Sequence, residues 1–302
     1  MKRLLKCYVL TLHKLFRLSL AALMLLAGLF LAYEMKRSYD RPPYDGDETR
    51  KGNLNGIPIG IPRKYLYYFP VEYIDKSIWE PPKPGDIAYG ERTYDHQIAA
   101  FSLYLHWPDR QPKNGHNFVS YINGNHSIDD GWLMISIQAQ GFTRHPRPPK
   151  AKDNGNARVL KGRIKRLAER PVDGGPWRQT EKVRVHYELQ GVDIATGLQW
   201  AVPVGPYTEL YHTWNDALYW QGDKETVVTD LISCYNGKMS NPKSYHKCEH
   251  YFEYPEMKTY VNLSYPRNWL PRWRELKAES KMLLQSFIVN TQAAPNDHSE
   301  IR

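Results

Sequence analysis

The sequence predicts an α+β protein: a predominantly antiparallel β-sheet with a C-terminal amphipathic helix packed on it, preceded by an N-terminal transmembrane helix. Three observations predict it. Aromatic and β-branched runs with period-two alternation recur from residue 64 onward, separated by turn formers. An uncharged apolar run near the N-terminus lacks a polar face. A final segment carries apolar residues at steps of three, four and seven.

The apolar run is LSLAALMLLAGLFLAY, from Leu18 to Tyr33. Its sixteen residues span roughly 24 Å as a helix, short of a ~30 Å hydrocarbon core. Leu15, Phe16 and Met35 extend it, and Arg17 and Lys36 can snorkel. Lys2, Arg3, Lys6, Lys14 and Arg17 all precede it, so the N-terminus is expected in the cytoplasm and the bulk of the chain in the periplasm. Residues 1–36 thus read as tail and anchor, with 18–35 in the inner membrane. A cleaved signal peptide is the competing reading, opposed by the bulky Leu25 or Phe30 at position −3 of the best small-residue sites. No Cys follows the run, which argues against a lipoprotein.

The anchor also explains the charge. The 302 residues carry a net +9, but residues 1–37 hold seven bases and one acid, leaving +3 for the rest. A high pI of this origin does not indicate a nucleic-acid surface, and no nucleic-acid partner is expected.

Residues 37–63, rich in Pro, Gly and charge, read as a linker. The exported domain is expected over 64–290, with a possible sub-boundary near 144–180 and a disordered tail at 291–302. Strands are expected at Tyr65–Ile74, Ile98–Trp107 and Trp132–Gln140. In the last of these, Leu133, Ile135 and Ile137 alternate with Met134, Ser136 and Gln138. Residues 144–170 hold ten bases against Asp153 and Glu169; they read either as a positive surface or as a solvated loop and hairpin. Further strands follow at Lys182–Leu189, Leu198–Val204, Thr208–Trp214, Ala217–Trp220, Thr226–Tyr235, Lys247–Tyr254 and Thr259–Tyr265, close enough for a meander. The closing helix is capped by Asn268, takes Pro271 in its first turn and runs to about Asn290. Its apolar stripe is Trp269, Trp273, Leu276, Leu283, Leu284 and Phe287.

Cys7 lies in the tail, while Cys234 and Cys248 lie in strand-like runs joined by the turn-rich NGKMSNPKSY. In an oxidising compartment this is a hairpin closed by a disulfide, worth on the order of 3 kcal/mol. Two unpaired buried thiols are the alternative. Zinc held by Cys234, Cys248, His246 and His250 is a weaker reading, because export favours the bridge. His96, His106, His116 and His126 fall ten apart, which matches no helical or strand face, and read as surface histidines. The chain contains no GxSxG, HExxH or glycine-rich phosphate loop. No catalytic residue, metal or cofactor is therefore expected; the residues point to a binding or structural protein rather than an enzyme.

The stretches ISC (232–234), KCEHYF (247–252), YVNLSY (260–265), LPRWREL (270–276) and LLQSF (283–287) resemble the C-terminal part of the bacterial immunity proteins that guard the periplasm against type VI secretion effectors, lipases included; PRKYLYYF at 62–69 fits more loosely. The resemblance implies a non-catalytic protein that binds a cognate effector toxin and covers its active site. This sequence differs in having an anchor and no lipobox cysteine. Contact surfaces vary between cognate pairs, so no contact residue carries over. The first candidates are loop aromatics and charges: Trp107, Asp129, Asp130 and Trp132. A structural periplasmic subunit of an envelope or conjugative secretion machine is the alternative, and an envelope enzyme a third reading.

Overall fold

A computed structural model describes residues 19–20, 23–26, 28–30, 48–66, 71–76, 83–107, 109–114, 131–141, 154–164, 167–171, 180–184, 186–204, 216–235 and 246–289, without the side chains at 89, 167–171 and 180–184. Residues 1–43 and 44–302 make two separate units. In the first, the described residues between 19 and 30 are helical, and their apolar side chains are exposed. Among the described residues no helix is long and apolar enough to cross a membrane.

The second unit begins with a hairpin, β1 (Thr49–Leu54) and β2 (Ile57–Pro62), inside the stretch expected to be a linker. The signal was present in Asn55-Gly56. Both residues adopt positive φ, 54° and 94°, as a two-residue hairpin turn requires. Leu54, Ile59 and Ile61 are fully buried. The short β3 (Glu72–Tyr73) follows, then β4 (Ile98–His106) and β5 (Trp132–Ala139), both where the alternation placed them. The described residues of the aromatic run at 65–74 do not form the long strand expected there. Its described residues give a 3-10 turn at Arg63–Tyr65, a bridge from Leu66 to Leu103 and the two residues of β3. Pro62 precedes the run and Pro70 interrupts it, and neither can donate to a ladder.

Helix α1 (Gly155–Ile164) occupies part of the basic stretch, which reads either as a positive surface or as a solvated loop and hairpin and in neither case as a helix; β6 (Leu167–Pro171) and β7 (Thr180–Arg184) then pair antiparallel. The C-terminal strands are β8 (His186–Val192), β9 (Gln199–Val204), β10 (Asp216–Gly222), β11 (Val228–Tyr235), β12 (Lys247–Tyr254) and β13 (Thr259–Pro266). The expected strand at 208–214 lies outside the described residues. A 3-10 turn (Arg267–Arg272) leads into α2 (Trp273–Gln285). Asn268 sits within that turn and does not cap α2, whose first residue is preceded by Arg272.

The nine strands of the main sheet are all antiparallel, in the order β3-β4-β5-β13-β12-β11-β10-β9-β8. The expected meander is β8 to β13. Its last strand docks beside β5 and joins it to the upstream hairpin. One face of the sheet carries the main core: Phe101, Leu103, Ile135, Ile137, Leu263, Val261, Phe252 and Ile232, closed over by Trp273, Leu276, Leu284 and Phe287. Of the stripe expected on the closing helix, Trp273, Leu276 and Leu284 of α2 and Phe287 just beyond it are buried, while Trp269 and Leu283 are partly buried against the same core. The β1–β2 hairpin is tied to the end of α2 through Gly60 N–H to Phe287 C=O and Val289 N–H to Pro58 C=O.

α1 covers only part of the opposite face. Ala157 and Leu160 pack on Ala201, Leu218, Trp220, Val228 and Leu231 of β9–β11. Asn154 sets its start. The Asn154 carboxamide oxygen accepts from Ala157 N–H and Val228 N–H, and its NH2 donates to Val228 C=O.

Cys234 and Cys248 are register partners on β11 and β12 and form the expected disulfide. Converting both to alanine is expected to lower the unfolding free energy by about 3 kcal/mol, since the bridge closes a 14-residue separation. A denaturant titration measures this; an unchanged midpoint would show that the bridge does not stabilise the fold.

Candidate functional site

Each face of the sheet holds a distinct polar feature. Beneath α2 lies a buried charge network. Asp230, on β11, accepts from His250 Nε2–H at 2.8 Å and from Lys277 Nζ at 2.6 Å. Asp230 and His250 are almost fully buried, and only Lys277 reaches solvent. Lys277 comes from α2, and its ammonium also lies 5.0 Å from the Phe252 ring. Burial alone would push the Asp230 carboxyl up, but the His250 and Lys277 contacts outweigh it and hold it at about 2. Burial pushes the His250 imidazole down against the pull of Asp230, so it stays neutral and donates through Nε2. Its ring sits edge-on to Trp273, whose indole N–H donates to Thr196 C=O. The network therefore fixes α2 to the sheet rather than presenting a reactive group.

The other face is open beyond α1, over β4, β5, β13 and β12. Register aligns Ser102, Ser136, Asn262 and Tyr251 in one cross-strand row and Ala100, Gln138, Tyr260 and Glu253 in the next. The small side chains at 100, 102 and 136 leave a depression. Gly155, Asn156 and Val159 of α1 wall one side, giving a groove of about 560 Å³. Ser102 and Ser136 hydroxyls bond each other at 3.0 Å. Glu249, beside the groove, is held ionised: burial pushes its carboxyl up, but the Tyr251 hydroxyl, Lys247 and Asn262 together bring it below the ordinary range.

The expected contact residues fare differently. Trp107 is only 3% exposed and Trp132 6%, so the structure corrects the expectation that they are exposed loop aromatics. Trp107, the residue after β4, packs against Trp269, with the Arg272 guanidinium 4.9 Å from its ring. Trp132 opens β5 with its ring edge-on to His106. Both sit where the strands meet their loops, and their large apolar area is buried there. Asp129 and Asp130 lie outside the described residues. Of the bases of the 144–170 stretch, Arg158, Lys161 and Arg163 lie on α1, and two of them contact the protein itself. Arg163 donates to Ser233 and pairs with Asp216, while Lys161 donates to Glu225 C=O. Sequence reading missed the groove. The polar alternation at Met134, Ser136 and Gln138 signalled an open face, but α1, its wall, was not foreseen.

His106 pairs with Asp109, and His96 accepts from Thr93 N–H; among the described residues no cluster of metal-ligating side chains occurs.

No family model and no curated protein matches the chain. Among solved structures it is similar to Smlt3025, an immunity protein of the Stenotrophomonas maltophilia type IV secretion system, at 16% identity and a TM-score of 0.44, over 83% of this chain and all of that one. Identity and superposition at that level assign neither fold nor function to this chain.

The buried network predicts acid sensitivity. Asp230 titrates near ~3.9 unfolded and about 2 folded, so its stabilisation is present above ~4 and is lost as pH falls toward 2. His250 is depressed below its ordinary ~6.5, so the unfolded chain takes a proton that the folded one refuses, and stability falls as pH drops below ~6.5. Asp230→Ala is expected to cost about 3 kcal/mol at neutral pH, because it strands buried donors. His250→Gln should flatten the pH 7-to-5 slope of urea midpoints; a slope equal to wild type would reject this role.

Proposed function

We propose that this chain is an immunity protein of a bacterial secretion system, held in the inner membrane by residues 18–35 and binding a toxin in the periplasm without catalysing a reaction. The observation that carries the reading is the fold of residues 232–287. The stretches that resemble immunity proteins form a cystine-tied strand pair, β11–β12, followed by β13 and a helix clamped on the same strands. The open sheet face supplies a surface on that rigid frame. The helical residues between 19 and 30, with Leu23, Met24, Leu25, Leu26, Leu29 and Phe30 each 60–67% exposed, support an apolar anchor. The cystine supports an oxidising compartment. The sequence resemblance favours a type VI effector as the toxin.

One observation favours the alternative of a structural envelope subunit. The edge strand β8 is largely exposed and leads through Leu189 and Val192 to a fully exposed Ile194, features that suit strand-to-strand assembly.

The test is co-expression. The product of the neighbouring reading frame, directed to the periplasm, should arrest growth, and this protein should restore it and co-purify in a one-to-one complex. A harmless neighbour together with rings or filaments of the purified chain would reject the immunity reading in favour of the structural one.

A further inference from the structure

The turn between β8 and β9 carries the most exposed large apolar side chain among the described residues. Ile194 is 101% exposed, whereas no other large apolar side chain described in the second unit exceeds 62%. Single, partly covered aliphatic side chains are ordinary on a protein surface. Ile194 differs in standing clear of every neighbour.

The turn does not call for an apolar residue at its tip. Asp193 and Thr196 build it. The Asp193 carboxylate accepts from Thr196 N–H at 2.9 Å and from its hydroxyl at 2.6 Å, and Asp193 N–H donates to Leu198 C=O. The turn between β10 and β11, at the same end of the sheet, is built alike. There the Asp223 carboxylate accepts from Glu225 N–H and the Thr226 hydroxyl, and Asp223 N–H donates to Val227 C=O. Between its Asp and Thr this second turn carries Lys224 and Glu225, as a solvated turn does. The first carries Ile194 and Ala195 in the same two places. Folding therefore leaves the identity of residue 194 open.

The tip is also rigid. Thr196 is buried, and its carbonyl accepts from Trp273 Nε1–H at 3.1 Å and from Arg274 Nη1–H at 2.9 Å, which ties the turn to the start of α2.

We propose that Ile194 is an anchor that this chain inserts into an apolar pocket of its protein partner. A side chain open on every side is covered only by a surface that surrounds it, so the partner must be concave there. A turn already fixed by hydrogen bonds loses little freedom on binding. Two other occupants fit less well. One aliphatic side chain does not hold a protein on a lipid surface, since even a single myristoyl chain binds only marginally. A two-fold pairing of tips sets convex against convex and leaves each Ile194 open. The proposal rests on the reading of this chain as a toxin-binding protein, and names the side chain it presents to that toxin.

The test measures binding of the neighbouring reading frame's product to the full chain in phosphatidylcholine nanodiscs. Ile194→Ala should raise Kd about tenfold or more, and Ile194→Asp at least a hundredfold. Ile194→Val should stay within about fivefold of wild type, and Lys224→Ala, in the matching turn, should bind as wild type does. All four should keep the wild-type urea midpoint, because neither side chain supports the core. The Ile194 δ1-methyl NMR signal, assigned by its loss in Ile194→Val, should be broadened by a soluble gadolinium chelate in the free chain. Adding the partner should protect it.

Equal binding of Ile194→Asp and wild type overturns the proposal and leaves the toxin-binding reading standing. Protection of the methyl before the partner is added also overturns it: protection lost on dilution marks a second copy, and protection at every dilution marks the lipid. If wild type neither binds the product nor protects against it in co-expression, the toxin-binding reading falls and the proposal falls with it.

Discussion

The structure depends on where β13 pairs. This last strand lies between β12 and β5, so it is bonded on one side to its neighbour in sequence and on the other to a strand far upstream. Without it the chain would hold two separate sheets: β3 to β5, and the meander from β8 to β12. With it the apolar rows of β4, β5, β13, β12 and β11 become one surface, Leu103–Ile135–Leu263–His250–Ile232 in register. Only such a continuous surface gives α2 something to cover. Because the β5–β13 pairing closes a long loop, the cooperative fold waits on a contact of high sequence separation. The Cys234–Cys248 bridge lowers that cost on the meander side by holding β11 and β12 together.

One charged network interrupts that surface, and it is where helix and sheet are matched. Asp230 and His250 face α2 from adjacent strands, and Lys277 descends from the helix to the same carboxylate. Apolar side chains of similar volume often give equal or greater raw stability than a buried ion pair. What the ions supply is register: α2 can neither slide nor rotate without stranding a buried carboxylate. The same helix orients Trp273 toward Thr196 and carries the Phe287 end to which β1–β2 is bonded. The Arg110–Glu279 ion pair adds a further tie, fixing the loop after β4 to α2.

Much of this was legible in the sequence, for physical reasons that differ by element. β4, β5, β12 and β13 each bury alternate residues, and period-two alternation is what the eye reads. The α2 stripe at Trp273, Leu276, Leu284 and Phe287 was equally plain. β1–β2 was missed because Gly52, Pro58, Gly60 and Pro62 look like a linker, although Asn55-Gly56 marks a hairpin; its buried large side chains are only Leu54, Ile59 and Ile61. α1 was missed because it buries only Asn156, Ala157 and Leu160, too few to show against its basic residues. Trp107 and Trp132 were misjudged because adjacency to a loop says nothing about which way a ring points.

The groove was illegible for a deeper reason. Ser102, Ser136 and Asn262 are far apart in the chain and become neighbours only through the β4-β5-β13 order, which periodicity does not encode. Its wall comes from a helix pinned by Asn154 to the β10–β11 turn, in yet another part of the chain. A surface assembled this way exists only when the whole sheet exists. It cannot persist on a fragment, and side-chain changes on the solvent face can alter it without touching the core on the other side. Those are the two properties a binding protein needs if its contact face is to diversify while its frame stays constant. The main core, the cystine and the Asp230 network hold the frame; Val159, Gln138 and Glu72 line the groove outside that core.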